Sequence, residues 1–350
     1  MNHKKLFLLG SWALLLFITI PGQAQKTEYD VTSVAFYNLE NLFDTEDNPK
    51  KYDEAFTPSG ENRYTQEVYE KKLHNLSKVL SEISTDHVPG GPALIGVAEV
   101  ENNRVLKDLL STPLLKERNW KSICIEGADA RGINVGLIYN PALFKIIEAK
   151  SHYVDLQANG KKEFTRDILQ VTGLLIGDTI HVLVCHWPSR RGGEGASQWK
   201  REKAASVCKR IKDEIIALDP GARVIIMGDL NDDPVSLSVE KVLEAKGEVR
   251  EVGTGELFNP FYMFYKKGMG TLGYNDSWNL FDQIIISSSF IHAEDLSWKY
   301  RKAYIFNKNY LRHQFGQYKG YPHRSYIGTT WMDGYSDHFP TYILISREKK

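Results

Sequence analysis

Four short stretches of this 350-residue chain set ionisable or amide side chains at the ends of apolar runs, where they can share one cleft. The first is Gly228-Asp229-Leu230-Asn231-Asp232, which follows Val224-Ile225-Ile226-Met227. Its carboxylate and amide stand two residues apart, and period-two alternation lets both face one cleft. The same residues also suit an Asx turn at a strand exit. The second is Tyr335-Ser336-Asp337-His338-Phe339-Pro340. Adjacent acid and imidazole point to opposite sides of an extended chain, so one can hold a metal while the other faces a substrate. Asp282, opening Gln283-Ile284-Ile285-Ile286, can orient the ring. The competing reading is a loop histidine beside a capping aspartate.

The third stretch is the pair of strand ends at Asn38 with Glu40 and at Glu99, after the runs 31–37 and 93–98. A carboxylate at the end of a buried strand is costly unless it meets water, a cation or hydrogen-bond donors. Oxygen-only donors suit Mg²⁺, Mn²⁺ or Ca²⁺ and argue against a thiolate-rich zinc site. Glu101 competes with Glu99 but reads as the cap of the next helix, with Asn102. The fourth is His186-Trp187-Pro188-Ser189-Arg190-Arg191-Gly192-Gly193, an imidazole at a strand end followed by two guanidinium groups in a Gly-rich turn. These offer donors and delocalised charge for phosphate oxygens, or else form a solvated basic loop with Trp187 in the core.

Strand-like runs at 31–38, 93–98, 121–126, 133–139, 169–176, 179–185, 223–227, 283–287 and 341–345 must position these groups. Between them lie amphipathic helical patterns over 65–83 and 195–218. Hairpin-like pairs mixed with helices predict an α/β (α+β) architecture with helices outside sheets. Residues 44–62 and 297–332 read as long loops. The second has no acid, yet interleaves Lys299, Arg301, Lys302, Lys308, Arg312, Lys319 and Arg324 with ten aromatic rings. Basic residues among aromatics suit single-stranded nucleic acid, although half of such rings packing under a loop explains the pattern equally well. Tyr321-Pro322-His323-Arg324-Ser325-Tyr326 can also shape a substrate pocket.

Acidic and basic residues balance at 44 each, so any anion specificity must be local. The three cysteines, Cys124, Cys185 and Cys208, lack C-x-x-C spacing and read as buried thiols. At the N-terminus, Lys4 and Lys5 precede an apolar run at 6–20 and the small-residue stretch Pro21-Gly22-Gln23-Ala24. That is the pattern of a signal peptide cleaved after Ala24, too short for a bilayer span of ~20 residues. The expected organisation is a 1–24 signal peptide and a single 25–350 catalytic domain, exported to the periplasm or secreted, with no transmembrane segment after cleavage.

Taken in order, Tyr37-Asn38-Leu39-Glu40-Asn41, Val97-Ala98-Glu99, His186-Trp187-Pro188-Ser189-Arg190, Gly228-Asp229-Leu230-Asn231, Asp282 and Ser336-Asp337-His338 resemble the endonuclease/exonuclease/phosphatase family across nearly the whole mature chain. The resemblance implies a four-layer α/β/β/α sandwich, two packed mixed sheets flanked by helices, with the site at one end. It implies that Asn38, Glu40, Glu99 and Asp337 form the divalent-metal site, Mg²⁺ first with Mn²⁺ or Ca²⁺ as alternatives. Asp229 would orient or deprotonate the attacking water and Asn231 would help place it. His338, held by Asp282, and His186 would contact the scissile phosphate from two sides. Arg131, in Arg131-Gly132-Ile133-Asn134, resembles the arginine of a similar segment in exported bacterial members and joins Arg190, Arg191 and Arg324 as a substrate-binding candidate. The expected activity is a metal-dependent phosphodiesterase cutting nucleic acid, an endonuclease, with no stable protein partner. The alternatives are a phosphoesterase for an inositol phosphate, a sphingomyelin headgroup or another small or lipid-linked ester, and a binding module that kept the fold without the chemistry.

Overall fold

The computed structural model describes residues 28–158, 160–274, 276–293 and 296–349. The signal-peptide reading of 1–24 lies outside the described residues. The elements run β1 (Tyr29–Leu42), α1 (Gln66–Glu82), β2 (Leu94–Val100), α2 (Asn103–Leu110), β3 (Lys121–Cys124), β4 (Asn134–Tyr139), β5 (Phe144–His152), a small hairpin of β6 (Leu156–Ala158) and β7 (Lys161–Glu163), β8 (Ile168–Leu175) and β9 (Asp178–His186). They continue with α3 (Glu194–Leu218), β10 (Arg223–Asp229), β11 (Ala245–Lys246), β12 (Leu257–Phe258), α4 (Tyr262–Lys266), the hairpin β13 (Leu272–Tyr274) and β14 (Ser277–Asn279), β15 (Asp282–Ser287), β16 (Lys299–Ile305), the hairpin β17 (Tyr326–Ile327) and β18 (Thr330–Trp331), and β19 (Thr341–Glu348).

Alternation decides the layers. On β1, Val34 and Phe36 join a core with Val182, Val184, Ile225, Met227, Ile284, Ile343 and Ile345, which is the contact between two sheets. Ala35 and Tyr37, one residue out of phase, join Leu76, Val79, Leu80, Leu106 and Leu109 under α1 and α2. On β10, Val224 and Ile226 turn the other way and meet Ala204, Cys208 and Ile211 of α3. Strands buried on both faces read as continuous apolar runs, and the result is the expected four-layer α/β/β/α sandwich. The sheets are ordered β16-β19-β1-β2-β4-β3 and β11-β12-β15-β10-β9-β8-β5. Helix α1 begins at Thr65, whose hydroxyl accepts the Val68 amide as an N-cap. The three cysteines are free thiols on β3, β9 and α3.

Two edge strands escape sequence reading. β5 is mostly exposed and carries a bulge between Ile146 and Glu148 where it pairs with β8, so its side chains do not alternate cleanly. β16 lies in the segment expected to be loop, and the bulge between Tyr300 and Lys302 likewise breaks its period. Within that segment Trp298 and Phe306 are core residues, so part of its aromatic content is packing.

Topology gathers six strand ends. β1 runs parallel to β2 and antiparallel to β19, while β9 runs parallel to β10, which is antiparallel to β15. The C-terminal ends of β1, β2, β9 and β10 and the N-terminal ends of β15 and β19 therefore lie at one end of the sandwich. The approach of β9 to β10 there depends on Gly228, where a Cβ would stand 2.2 Å from the Cys185 carbonyl oxygen. Gly228→Ala is expected to destabilise the protein by about 1–3 kcal/mol, as overpacking does. A urea midpoint equal to that of the wild type would contradict the pairing.

Candidate active site

On the first sheet, register shifts between Asn38 and Leu42 and between Ala98 and Val100 take Glu40 and Glu99 out of the ladder. Glu40, Asn41 and Glu99 all have positive φ, of 48°, 58° and 59°. Non-glycine residues held there are strained, and such strain concentrates at functional sites. The turns are pinned by side chains: Asn38 Oδ1 accepts the Glu40 amide at 2.9 Å, and Glu99 Oε2 accepts the Asn41 amide at 3.0 Å. The Glu40 carboxylate also accepts the backbone amides of Ser325 (2.5 Å) and Tyr326 (3.4 Å). Glu101 is buried and accepts the Asp44 amide at 2.8 Å, so it anchors the 44–62 loop, while Asn102 alone caps α2.

From the second sheet, Asp229 ends β10 and its Oδ1 accepts the amide of Asn231, which sits at φ 49°. The Asn231 side-chain amide donates to the Trp187 carbonyl at 2.9 Å, locking this turn to the end of β9. Two contacts then bridge the sheets. Asn38 Nδ2 donates to Asp229 Oδ2 at 3.0 Å, and Asp282 Oδ2 meets His338 Nδ1 at 2.7 Å. Around Asp229 Oδ2 stand His186 Nε2 at 3.6 Å and His338 Nε2 at 3.9 Å, and His186 Nε2 is 3.8 Å from Glu99 Oε1. His338 Nε2 is also 3.9 Å from Asp337 Oδ1. The nine residues expected to be catalytic or metal-binding thus come together at the strand ends.

Burial sets their protonation. It pushes Asp229 up to about 7 against the pull of His338, with Asp282 adding to the rise. Glu40 is likewise raised to about 7 by burial and by Asp337, with Lys72 opposing, and Glu99 is raised by burial and Asp337. The two imidazoles diverge. Burial drives His186 well below its usual range, helped by Arg166 and Arg131. For His338 burial acts in the same direction, but Asp282 and Asp229 together outweigh it and hold the ring protonated well above that range. One neutral and one cationic imidazole flank a single carboxylate, a separation typical of acid–base assignments.

Asp229, Asp282 and His338 present ligand atoms within 4.8 Å of one another. His338 Nδ1 is already bonded to Asp282, and a protonated ring has no free lone pair, so the trio fits a hydrogen-bonded network better than a ligand set. The carboxylates of Glu40, Glu99 and Asp337 fit a cation better. Glu40 and Glu99 are raised by burial and by the Asp337 charge beside them, which is the condition a hard divalent ion relieves, and the Asn38 amide oxygen is of the same donor class.

The arginines divide. Arg324 bonds Asp337 Oδ2 at 2.9 Å and approaches Glu40 Oε1 at 3.7 Å, so it sits between two candidate ligands. Arg131 is tied to buried Asp129 at 3.1–3.2 Å. Arg190 departs from the expected phosphate donor: it is held by the Asn231 carbonyl, Asp232 and Asp233, and lies over the Phe281 ring, bracing the turn that carries Asn231. Arg191 is exposed on the same loop.

Two buried cations were not anticipated. Arg166 donates to the carbonyls of His186 and Trp187 and pairs with Asp129 at 3.5 Å, fixing the end of β9. Lys72 of α1 is fully buried and donates to Ser325 Oγ at 2.8 Å, behind Glu40. Its one sequence signal is a lysine on the apolar stripe of α1, four residues before Leu76. Lys72→Met is expected to cost about 3 kcal/mol, because a buried acid loses its compensating cation. Adding Glu40→Gln should recover part of the stability in chemical denaturation. No recovery in the double variant would mean that Lys72 does not answer Glu40.

The sequence pattern of a family described as the Endonuclease/Exonuclease/phosphatase family matches residues 33–347. Among solved structures, the chain is similar to an endonuclease/exonuclease/phosphatase family protein from Bacteroides thetaiotaomicron, with 13% identity over 92% of this chain and 97% of that one and a TM-score of 0.53. It is similar to truncated Caenorhabditis elegans TDP2, with 16% identity over 90% and 97% and a TM-score of 0.52. It is also similar to D. rerio TDP2 complexed with single strand DNA product, with 12% identity over 90% and 98% and a TM-score of 0.51. At these identities the likeness concerns the fold. No curated protein matches the chain.

Proposed function

The chain belongs to the endonuclease/exonuclease/phosphatase family of divalent-metal-dependent phosphoric ester hydrolases, and from that premise we propose that it is an exported phosphodiesterase that cuts nucleic acid as an endonuclease. The observation that best supports the reading is the pair of contacts joining the sheets, Asn38 to Asp229 and Asp282 to His338, which holds a base and an imidazolium at one point. A phosphodiester is anionic and repels nucleophiles, so hydrolysis needs donors for the equatorial oxygens and a base for water. Asp229, whose affinity for protons lies near neutrality, takes the proton of the attacking water, and Asn231 helps place that water. His338 and His186 face the phosphate from two sides, the first as a cation and the second as a neutral ring. A divalent ion held by Asn38, Glu40, Glu99 and Asp337, Mg²⁺ by its preference for hard oxygen donors, would supply Lewis-acid charge neutralisation.

Nucleic acid as substrate is supported by the acid-free basic and aromatic composition of 297–332 and by the single strand DNA product carried by one similar structure. Export rests on the cationic, apolar and small-residue succession over 4–24. The test is to incubate the chain from residue 25 in Mg²⁺ with an end-labelled oligonucleotide, an inositol polyphosphate and sphingomyelin. Internal cuts in the oligonucleotide, suppressed by EDTA, are expected. Turnover confined to the small or lipid ester would overturn the choice of substrate.

A further inference from the structure

Beside Asp337 and Arg324 opens a cleft of about 480 Å³, walled by Tyr274 of the β13–β14 hairpin and by His313, Tyr318 and Tyr321 of the 309–324 loop. That volume falls in the ~300–1,000 Å³ range of sites for small organic groups. A second hollow of about 540 Å³, with Arg312 and Lys319 on its lining, adjoins the first through the shared residues Gln317 and Tyr321.

Both walls are fixed. Arg312 bridges Pro322, and His313 and Gly320 exchange backbone bonds with Tyr321 and His313 at 2.8 and 2.9 Å, closing the loop on itself. The hairpin lies against it so closely that a Cβ on Gly273 would stand 2.4 Å from the Tyr321 ring. Tyr321 in turn packs edge-on to Trp278 at 5.0 Å, and Trp278 stacks on Phe339, the neighbour of His338, at 6.0 Å. These contacts hold Tyr321 and Phe339 in place. Tyr274 and Tyr318 are 67% and 38% exposed, Tyr318 beside the His313 ring at 5.9 Å, and each leaves ring surface open to a ligand.

We propose that this cleft is a single-strand subsite, resting on the nucleic-acid reading above. Tyr274 and Tyr318 stack on unpaired bases next to the scissile phosphate, and Arg312 and Lys319 neutralise the adjoining backbone. A base in a duplex is stacked on both faces and cannot offer one to a protein ring, whereas an unpaired base can, whatever its identity. Asp276 and Asp337 are the acids of the lining; away from them the wall is Tyr318, Tyr321 and His313, and the cations Arg312 and Lys319 line the adjoining hollow.

Fluorescence anisotropy with a short labelled single strand and its duplex tests the proposal, in an Asp229→Asn background that stops turnover. Tyr274→Ala and Tyr318→Ala are each expected to weaken single-strand binding roughly 5- to 150-fold, the range of base–aromatic stacking. In the active protein the loss should appear in KM more than in kcat, and the single strand should bind more tightly than the duplex. Wild-type protein that cuts nucleic acid while both tyrosine variants bind like the parent, or while the duplex binds as tightly as the single strand, would overturn the subsite alone. Wild-type protein that neither binds nor cuts any oligonucleotide but hydrolyses a small phosphate ester would overturn the nucleic-acid reading and the subsite with it.

Discussion

Asp229→Asn is expected to lower kcat for phosphodiester hydrolysis roughly 10²–10⁴-fold, the contribution of a positioned general base, with KM little changed. Asp229 accepts two hydrogen bonds in the wild type, from the Asn38 side-chain amide and the Asn231 backbone amide. Asparagine has the same shape and keeps one acceptor, so one of those donors loses its partner. Such a loss costs about 1–3 kcal/mol, and removal of a buried negative charge offsets part of it. The fold should therefore persist, as circular dichroism would show. The proton-accepting oxygen that faces both histidines is lost. An interaction made only in the transition state is removed, which lowers kcat and kcat/KM together. A fall of less than tenfold would take Asp229 out of this role.

Asp282→Asn should cost roughly 10²–10³-fold at pH 8, comparable to losing one electrostatic donor at a reacting centre, and less at pH 6. Asp282 is fully buried and its Oδ2 holds His338 Nδ1 at 2.7 Å. In the wild type burial favours the neutral ring, and Asp282 followed by Asp229 reverse that preference, so the imidazolium survives well above the usual histidine range. With Asp282 neutralised, burial remains and the largest single opposing charge is gone, so His338 gives up its proton at lower pH. The alkaline limb of the rate profile should move toward acid, widening the deficit as pH rises. A uniform loss across the profile would mean that Asp282 only fixes the ring's orientation.

Much of this geometry was legible before any coordinates. Strands β1, β9 and β10 are buried on both faces and announce themselves as apolar runs, and the polar residues at their ends are where chemistry is affordable. Asp229 and Asp282 stand out as acids that close and open apolar runs, and their grouping with Asn231 and His338 is what the family resemblance implies. What alternation hides is the left-handed backbone at Glu40, Asn41, Glu99 and Asn231, since a bulge leaves no composition signal. Lys72 and Arg166 were hidden for a different reason: each is an ordinary basic residue until the tertiary fold buries it against an acid or a carbonyl. The same effect reverses Arg190, which looked free in a Gly-rich turn and is consumed by Asp232 and Asp233. In 297–332, edge-strand and core rings such as Trp298 and Phe306 mimic the composition of a binding loop, while the exposed rings are Phe315 and Tyr318.

The most direct test of the central claim is nicking of supercoiled plasmid by the chain from residue 25, in Mg²⁺, with EDTA and His338→Ala as controls. The account predicts conversion to the open circle, abolished by EDTA and lost in the variant although it is folded. Folded wild-type protein that cuts neither the plasmid nor a single-stranded oligonucleotide, or nicking that survives His338→Ala, would contradict it.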